Sequence, residues 1–566
     1  MSIQTVIQLR RSSQILFFLI FLWLIIKTTF EADFTPLEGG DVMLPYPVSI
    51  ALQFDPLVAL TTLLTSGTLY KGLLWSLVIL IPTIFMGRFF CGWICPLGTL
   101  NHWVSELGSE RASRKGKRRL ESNRYKPYQR IKYYVFFVFV GAAVTGVLQV
   151  GLLDPLALLA RSLGTAVLPM AHTAAAATTG WVKSLGLPWL GNVAGSAFDF
   201  LSRTVLPYRE AAFHALLSIA LVLLIVLALN RVYTRFWCRG ICPLGAMLGV
   251  FSRYAIFGLQ KDEVACDQCN LCLVSCQGAD NPDVGRIWRQ TECHLCLNCQ
   301  TACPQHALSF RFFPKQEGAP ANPAGTSKVD ITRRKLVGSL AGGVALYPLF
   351  RASDTSAARP NPELIRPPFS VPETSFRGQC IRCGQCMRVC PNNALHPTLL
   401  EAGIEGIWSP VLIARIGYCE PTCTLCGQVC PTGAIEEFTT EEKVGTDDIP
   451  PNRIGTAFID RGRCLPWGMA TPCIVCEEWC PTSPKAIYLK EEVATDRVGN
   501  SVPVKRPHID AALCTGCGAC EFACPVSDRA AIYVTSVGET RSETNQVLLR
   551  RQGAGLRLED DVYEAR

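Results

Sequence analysis

Cysteine placement constrains this chain more than any other feature. Of its 28 cysteines, 24 fall into six groups of four and the rest into two pairs, with none left over. A disulfide scaffold is a short secreted domain with varied spacings, whereas this chain has 566 residues and repeats one spacing. The pattern calls for metal ligation.

Three groups follow C-x2-C-x2-C-x3-C-P: Cys293, Cys296, Cys299 and Cys303; Cys380, Cys383, Cys386 and Cys390; Cys514, Cys517, Cys520 and Cys524. This is the bacterial ferredoxin pattern. A cubane 4Fe–4S cluster has four iron corners, each needing one thiolate. Three cysteines in register wrap three corners, and the fourth, before a proline at a helix start, usually serves the neighbouring cluster. Zinc ribbons instead use two separated CxxC pairs. Three groups depart from the ideal. Cys266, Cys269, Cys272 and Cys276 are followed by Gln277 rather than proline. Cys419, Cys423, Cys426 and Cys430 are stretched by one residue, and eight residues separate Cys464 from Cys473, which Cys476 and Cys480 follow. Each group keeps four cysteines, so six 4Fe–4S clusters are expected.

Hydrophobic residues make up 49% and charged residues 18% of the chain, with mean hydropathy +0.23, which suits a membrane protein carrying soluble parts. Four apolar stretches, 13–30, 73–90, 133–153 and 211–229, are expected to span a bilayer as helices. The first lacks a small-residue cleavage site and reads as an anchor. The net charge of +8 arises within 109–132, where ten Lys/Arg face two Glu. Nucleic acid is therefore not an expected partner. Arg10 and Arg11 precede the first span, the basic loop follows the second, and the loop 31–72 carries five acids and one lysine. By the positive-inside rule the N-terminus is cytoplasmic.

The membrane part reads as a tandem two-span repeat. Phe54-Asp55-Pro56-Leu57 recurs as Leu153-Asp154-Pro155-Leu156, and Arg88-Phe-Phe-Cys91-Gly-Trp-Ile-Cys95-Pro96 as Arg235-Phe-Trp-Cys238-Arg-Gly-Ile-Cys242-Pro243. An insertion, 165–210, is expected to be a loop. The fold class is thus an α-helical four-span membrane domain plus α+β ferredoxin-like 4Fe–4S domains. The boundaries read as a membrane domain at 1–262, a two-motif ferredoxin at 263–313, a linker with a twin-arginine and apolar segment at 314–365, a four-motif polyferredoxin at 366–538 and a polar tail at 539–566.

Absences narrow the chemistry. There is no C-x-x-C-H for c-type haem, no G-x-G-x-x-G after a strand and no Walker motif, so no nucleotide cofactor is expected. His214 is the one histidine in an expected span; His102, His172, His294, His306, His396 and His508 read as incidental. The chain is expected to carry electrons as a subunit of an oxidoreductase system, with no evident catalytic centre of its own.

These motifs resemble known families. Residues 1 to about 310 are similar to the NapH/MauN type of membrane ferredoxin, in the CxxxCPLG pairs and the two ferredoxin motifs that follow. Residues 330 to about 540 resemble the NapG/MauM type of exported polyferredoxin, in Arg333-Arg334, Ile365-Arg-Pro-Pro368, the run 380–386 and the stretched second and third groups. The resemblance implies a fused, quinol-linked electron-transfer module in a bacterial inner membrane. Its first ferredoxin domain is then cytoplasmic and its polyferredoxin domain periplasmic, exported folded by the twin-arginine route. The implied partners are the quinone pool and a periplasmic oxidoreductase or cytochrome. A second class stays open: an accessory factor, resembling CcoG or NosR, that reduces or matures a metalloenzyme.

Two sites remain in the membrane part. Asp55 and Asp154, with His214 as a weaker candidate, are candidates to accept protons from quinol; helix capping is the competing reading for the aspartates. Cys91, Cys95, Cys238 and Cys242 read as one shared site, a seventh iron–sulfur centre, against two metal-free pairs. If the helix runs through each motif, its two cysteines at i, i+4 share a face. Arg88 and Arg235 precede them by three residues and favour thiolates.

Overall fold

In the computed structural model, residues 3–29, 42–68, 70–107, 120–206, 212–284, 286–314, 331–350, 361–495 and 499–546 are described. The acidic stretch 31–41, most of the basic loop before 120, the linker 315–328 and the tail from 547 lie outside them.

Proline placement organises the helical part. Four times an x-Pro-Leu triplet starts a helix: α2 (Pro56–Ser66), α5 (Pro96–Leu107), α7 (Pro155–Ser162) and α12 (Pro243–Ser252). Proline suits the first helical turn because its missing N–H has no partner there anyway. The residue before it caps the helix. Asp55 accepts from the amides of Leu57 and Val58, and Asp154 from those of Leu156 and Ala157. The following leucines, Leu57, Leu97, Leu156 and Leu244, are buried in one hydrophobic cluster. Each cap is worth about 0.5–2 kcal/mol.

The remaining bundle helices are α1 (Ile3–Lys27), α3 (Leu77–Met86), α4 (Phe89–Trp93), α6 (Ile131–Val144), α8 (Leu168–Ser184), α9 (Pro188–Thr204), α10 (Leu216–Ala228) and α11 (Phe236–Gly240). Among the described residues only α1 is long and apolar enough by itself to cross a membrane. The other expected spans are shorter and interrupted. Gly87 (φ 96°) ends the second, and Gly146 (φ 84°) follows the end of α6. Left-handed backbone of this kind cannot continue a right-handed helix. The insertion expected as a loop is instead a helical hairpin, α8 and α9, turned by Gly186 (φ 70°). Its Ala-rich composition favours helix.

The surface of this bundle is apolar and its interior holds charge. Leu77, Val78, Ile81 and Phe85 of α3 and Leu217, Leu221 and Leu224 of α10 are exposed, while Arg10, Arg88, Lys132, Arg235 and Arg239 are fully buried. Lys132 pairs with Glu292, which also accepts from the Tyr133 hydroxyl at 2.8 Å and lies 3.8 Å from Arg88.

Two ferredoxin units sit on the bundle. The first is closed by an antiparallel pair, β1 (Phe257–Lys261) with β2 (Leu308–Phe312). The second holds β3 (Leu395–Pro397) with β4 (Pro410–Leu412), β5 (Thr456–Ile459) with β8 (Ile532–Thr535), and the long hairpin β6 (Ile487–Thr495) with β7 (Ser501–Ile509). Helix α1 fixes their separation. Arg10 bonds Asn298 of the first unit, and Thr28, eighteen residues on, bonds Gln385 of the second. At 1.5 Å per residue these contacts are about 27 Å apart. The two units therefore occupy opposite ends of the bundle.

The segment after the twin arginine forms α13 (Arg333–Ala345) and packs on α6. A Cβ at Gly343 would meet the Val138 carbonyl oxygen at 2.2 Å, and one at Gly141 the Leu340 oxygen at 2.3 Å. Gly343→Leu should therefore destabilise the bundle by at least the ~1–3 kcal/mol typical of overpacking, read as a lower melting temperature in detergent. Gly338→Leu, where nothing lies within 4 Å, should leave it unchanged.

Candidate iron–sulfur sites and the bundle interface

Each ferredoxin motif folds as a tight loop into a short helix. In the first unit the loops place Gln268, Asn270, Leu295 and Leu297 at positive φ, and the amides of Gln268 and Leu295 donate to Cys266 Sγ and Cys293 Sγ at 3.4 Å. In the second unit Gly384 and Gly518 take the same left-handed positions, and Ala394, Ile435 and Ala531 donate to the sulfurs of Cys390, Cys430 and Cys524 at 3.3–3.4 Å. Amides turned onto sulfur stabilise the negative charge of a ligated cluster.

The fourth cysteine of each motif lies with the other motif of its pair. Cys380, Cys383, Cys386 and Cys430 line one small cavity, and Cys464, Cys473, Cys476 and Cys524 another. Reciprocally, Cys390 lies among Cys419, Cys423 and Cys426, and Cys480 among Cys514, Cys517 and Cys520. In the first unit Cys303 neighbours Cys272, and Cys276 neighbours Cys296. The eight-residue stretch after Cys464 forms a helical turn, Leu465–Gly468, and keeps Cys464 at the cage. Spatial order differs from sequence order. The Cys419 amide donates to the Cys517 carbonyl at 2.8 Å, so the last group lies between the second and third.

Among the described residues no three His, Cys, Asp or Glu side chains come together around a single metal ion. A cubane core asks for something else, with one thiolate on each of four separate irons, and the cages supply that donor set. Burial pushes the Cys423, Cys476 and Cys517 thiols up to about 12, so cluster assembly must displace protons there.

Neighbouring groups tune these sites. Lys443 donates to the carbonyls of Glu420 and Cys423 at 2.6 and 2.7 Å. Burial opposes its charge, but Cys419, Cys423 and Cys426 outweigh it and hold the ammonium above its ordinary value. Arg366, from the Ile365-Arg-Pro-Pro368 motif, forks onto Glu373 at 2.7 and 3.0 Å and reaches the Pro410 carbonyl. Burial works against the Glu373 carboxylate, yet Arg366, Arg541 and Arg377 hold it down to about 2. That network ties the first cluster loop to β4.

Cluster loops, rather than distant surfaces, meet the bundle. A Cβ at Gly151 would stand 2.1 Å from the Ile381 oxygen, and one at Gly92 2.1 Å from the His294 oxygen. Arg382 donates to the Leu148 carbonyl at 2.7 Å, and Arg161 to the Arg382 carbonyl at 2.8 Å. Cys383 itself belongs to the bundle's hydrophobic cluster. At the other end the Trp93 indole donates to the Leu295 carbonyl at 3.0 Å, and Arg88 to that of Thr291.

The other expected residues are placed as follows. Asp55 and Asp154 are buried caps whose carboxyls face each other; Asp55 Oδ2 and Asp154 Oδ1 have no further partner among the described residues. His214 precedes α10 and is exposed, its ring 5.2 Å from that of His396. The cysteine pairs do not sit on continuous helices. Helix α4 stops at Trp93 and α11 at Gly240, so Cys95 and Cys242 start new helices instead of sharing a face with Cys91 and Cys238. The prolines that follow force the break. Sequence reasoning also missed a cleft of about 560 Å³ between bundle and second unit, lined by Gln53, Tyr70, Lys71, Gln379, Thr432 and Glu437. Its polar walls come from segments about 300 residues or more apart, a proximity that no local pattern encodes.

Comparison with known proteins agrees with this chemistry. Residues 68–115 and 213–260 both match one family of 4Fe-4S binding domain, and 376–396 and 505–526 match two further families of that description. The ferredoxin-type protein NapG of Escherichia coli is 33% identical over 154 residues, 27% of this chain and 63% of NapG. The methylamine utilization ferredoxin-type protein MauM of Methylorubrum extorquens is 37% identical over 152 residues, 25% of this chain and 61% of MauM. The putative electron transport protein YccM of Escherichia coli is 23% identical over 238 residues, 41% of this chain and 53% of YccM. The chain thus spans less than two thirds of each. No solved structure matches. The chain carries ferredoxin-type 4Fe–4S domains suited to electron transfer, and its N-terminal apolar helix is compatible with membrane association.

Two outcomes test the cages. Cys430→Ser should remove the same electron paramagnetic resonance signal as Cys386→Ser, while Cys390→Ser should remove the one lost with Cys426→Ser. Lys443→Met should lower the reduction potential of the Cys419 centre by on the order of 50 mV in a redox titration, because a nearby positive charge favours the reduced state.

Proposed function

We propose that the chain is a multi-pass membrane electron carrier linking the quinone pool to a periplasmic redox enzyme, its six four-cysteine groups holding six 4Fe–4S clusters. The fused NapH/MauN-like and NapG/MauM-like halves form one electron-transfer module. One observation carries the reading. Two ferredoxin units rest by their cluster loops on opposite ends of an apolar-surfaced bundle, separated along α1 by about 27 Å, close to the ~30 Å hydrocarbon core. Buried arginines inside and bare leucines outside suit lipid as the solvent for that bundle. The shorter helices Lys71–Met86, Ile131–Val144 and Leu216–Arg231 complete four crossings with α1. Asp-Pro-Leu and CxxxCP then mark the two ends of a tandem repeat.

Orientation follows the charges: the first ferredoxin unit on the cytoplasmic side with Arg10, Arg11 and the basic loop, the polyferredoxin unit outside. Helix α13 is retained, because its Gly343 is built into the packing against α6. The clusters supply one-electron carriers; the protein supplies insulation, spacing and a place for quinol.

The 560 Å³ cleft is that place. Its volume suits a quinol headgroup, and Thr432 Oγ1 stands 3.8 Å from Cys430 Sγ, a ligand of the cage nearest the bundle. The Tyr70 hydroxyl donates to Glu437 Oε1 at 3.4 Å, giving a proton acceptor at the mouth. Asp55 and Asp154 are not in its walls. Purified protein with a soluble quinol should show reduction of the cluster absorbance. Glu437→Gln with Tyr70→Phe should slow it at least tenfold and leave dithionite reduction unchanged. Unchanged quinol reduction removes the cleft from the function, and no quinol reduction in the wild type removes the quinol link.

A further inference from the structure

Two segments of the bundle match the same 4Fe-4S family, yet each brings only two cysteines, too few for a cluster. We infer that Cys91, Cys95, Cys238 and Cys242 together form one four-thiolate site for an iron–sulfur cluster shared between the two halves of the bundle. This rests on reading the chain as an iron–sulfur protein and does not depend on quinol.

The geometry is built symmetrically. Cys95 and Cys242 cap α5 and α12, helices of 12 and 10 residues. Their sulfurs accept from the amides of Gly98 and Gly245 at 3.4 and 3.2 Å, so both point where helix N-termini favour negative charge. Cys91 and Cys238 come from the short helices just before, and all four side chains are buried. Cys95 and Cys242 each lie close enough to Cys91 and Cys238 to interact.

Each half reaches into the other. Arg88 stands so close to Gly245 that a Cβ there would meet its Nη2 at 2.7 Å, and the same Nη2 is 3.8 Å from Cys91 Sγ. Arg235, from the second half, donates to the Cys91 carbonyl at 2.9 Å. A second, independent observation points to a ligand. Both arginines are fully buried, and Arg235 Nε, Arg235 Nη2 and Arg88 Nε have no acceptor among the described residues. Buried unsatisfied guanidinium N–H groups are costly and call for an anion. Four thiolates around a +2 iron–sulfur core leave a charge of about −2, which two guanidinium groups balance. The site also adjoins the first ferredoxin unit: Gly92, between Cys91 and Cys95, packs on the His294 oxygen, and Trp93 bonds Leu295, both within the Cys293 loop. As at the ferredoxin cages, no three of these side chains gather round a single ion among the described residues.

The test uses full-length protein purified anaerobically, with iron and acid-labile sulfide assays and ⁵⁷Fe Mössbauer spectra. The variants are Cys91→Ser with Cys95→Ser, Cys238→Ser with Cys242→Ser, and all four together. A shared site predicts that each half-variant loses the same centre, and the same two or four irons, as the fourfold variant. Two irons lost mean a 2Fe–2S centre and four mean a cubane. Retained ferredoxin signals show that the variants fold. Where a cysteine variant does not accumulate, Arg235→Met serves: it should shift the potential of one centre downward and leave the others unmoved. Iron and spectra unchanged in the fourfold variant, two independent losses from the half-variants, or no centre moved by Arg235→Met overturns the inference, whatever the quinol experiments return.

Discussion

A cubane needs four thiolates and a ferredoxin loop wraps three, so every motif in this chain depends on a partner. That dependence explains why the groups come in pairs and why each pair folds as a unit: Cys390 completes the cage of the Cys419 motif, and Cys430 that of the Cys380 motif. The stretched groups keep their function because the donor set matters more than the spacing. Eight residues instead of two separate Cys464 from Cys473, and the detour includes one helical turn. Linkage between pairs, through the Cys419 amide and the Cys517 carbonyl, then sets a spatial order that the chain order hides.

The bundle solves a different problem with the same economy. Proline after an aspartate or cysteine starts four helices, and the residue before it faces inward with free acceptors. Aspartate in that position makes a structural cap at the end facing the second unit. Cysteine in that position turns its sulfur onto a helix amide at the end facing the first. Close packing through Gly92, Gly151, Gly141 and Gly343 brings backbones together where any side chain would hold them apart. The contacts at Gly92 and Gly151 put cluster loops directly against the bundle.

Much of this was legible in the sequence. The grouping of 24 cysteines by four and the paired Asp-Pro-Leu and CxxxCP motifs are read directly from spacing, because those features are local. Helix continuity was not legible: Gly87 and Gly146 adopt left-handed backbone inside runs whose hydropathy reads as unbroken, and the insertion that read as a loop is the hairpin of α8 and α9. The i, i+4 reading of Cys91 and Cys95 failed because Pro96 ends one helix and begins another. Arg161, Lys443, Glu292 and the walls of the cleft were missed for one reason. Their roles arise between segments far apart in the chain, such as Lys132 with Glu292, and no periodicity reports such pairs.

That the two fused halves form one electron-transfer module is the central claim, and it can be measured in sealed vesicles holding the oxidised full-length protein in one orientation, checked by protease accessibility. A membrane-impermeant reductant is added to the face bearing the polyferredoxin unit, and samples are frozen over time for electron paramagnetic resonance. The account predicts that the centres of Cys266–Cys303, on the opposite face, become reduced along with those of Cys380–Cys524. Centres on the far face that stay oxidised, while those on the near face are fully reduced, would contradict it.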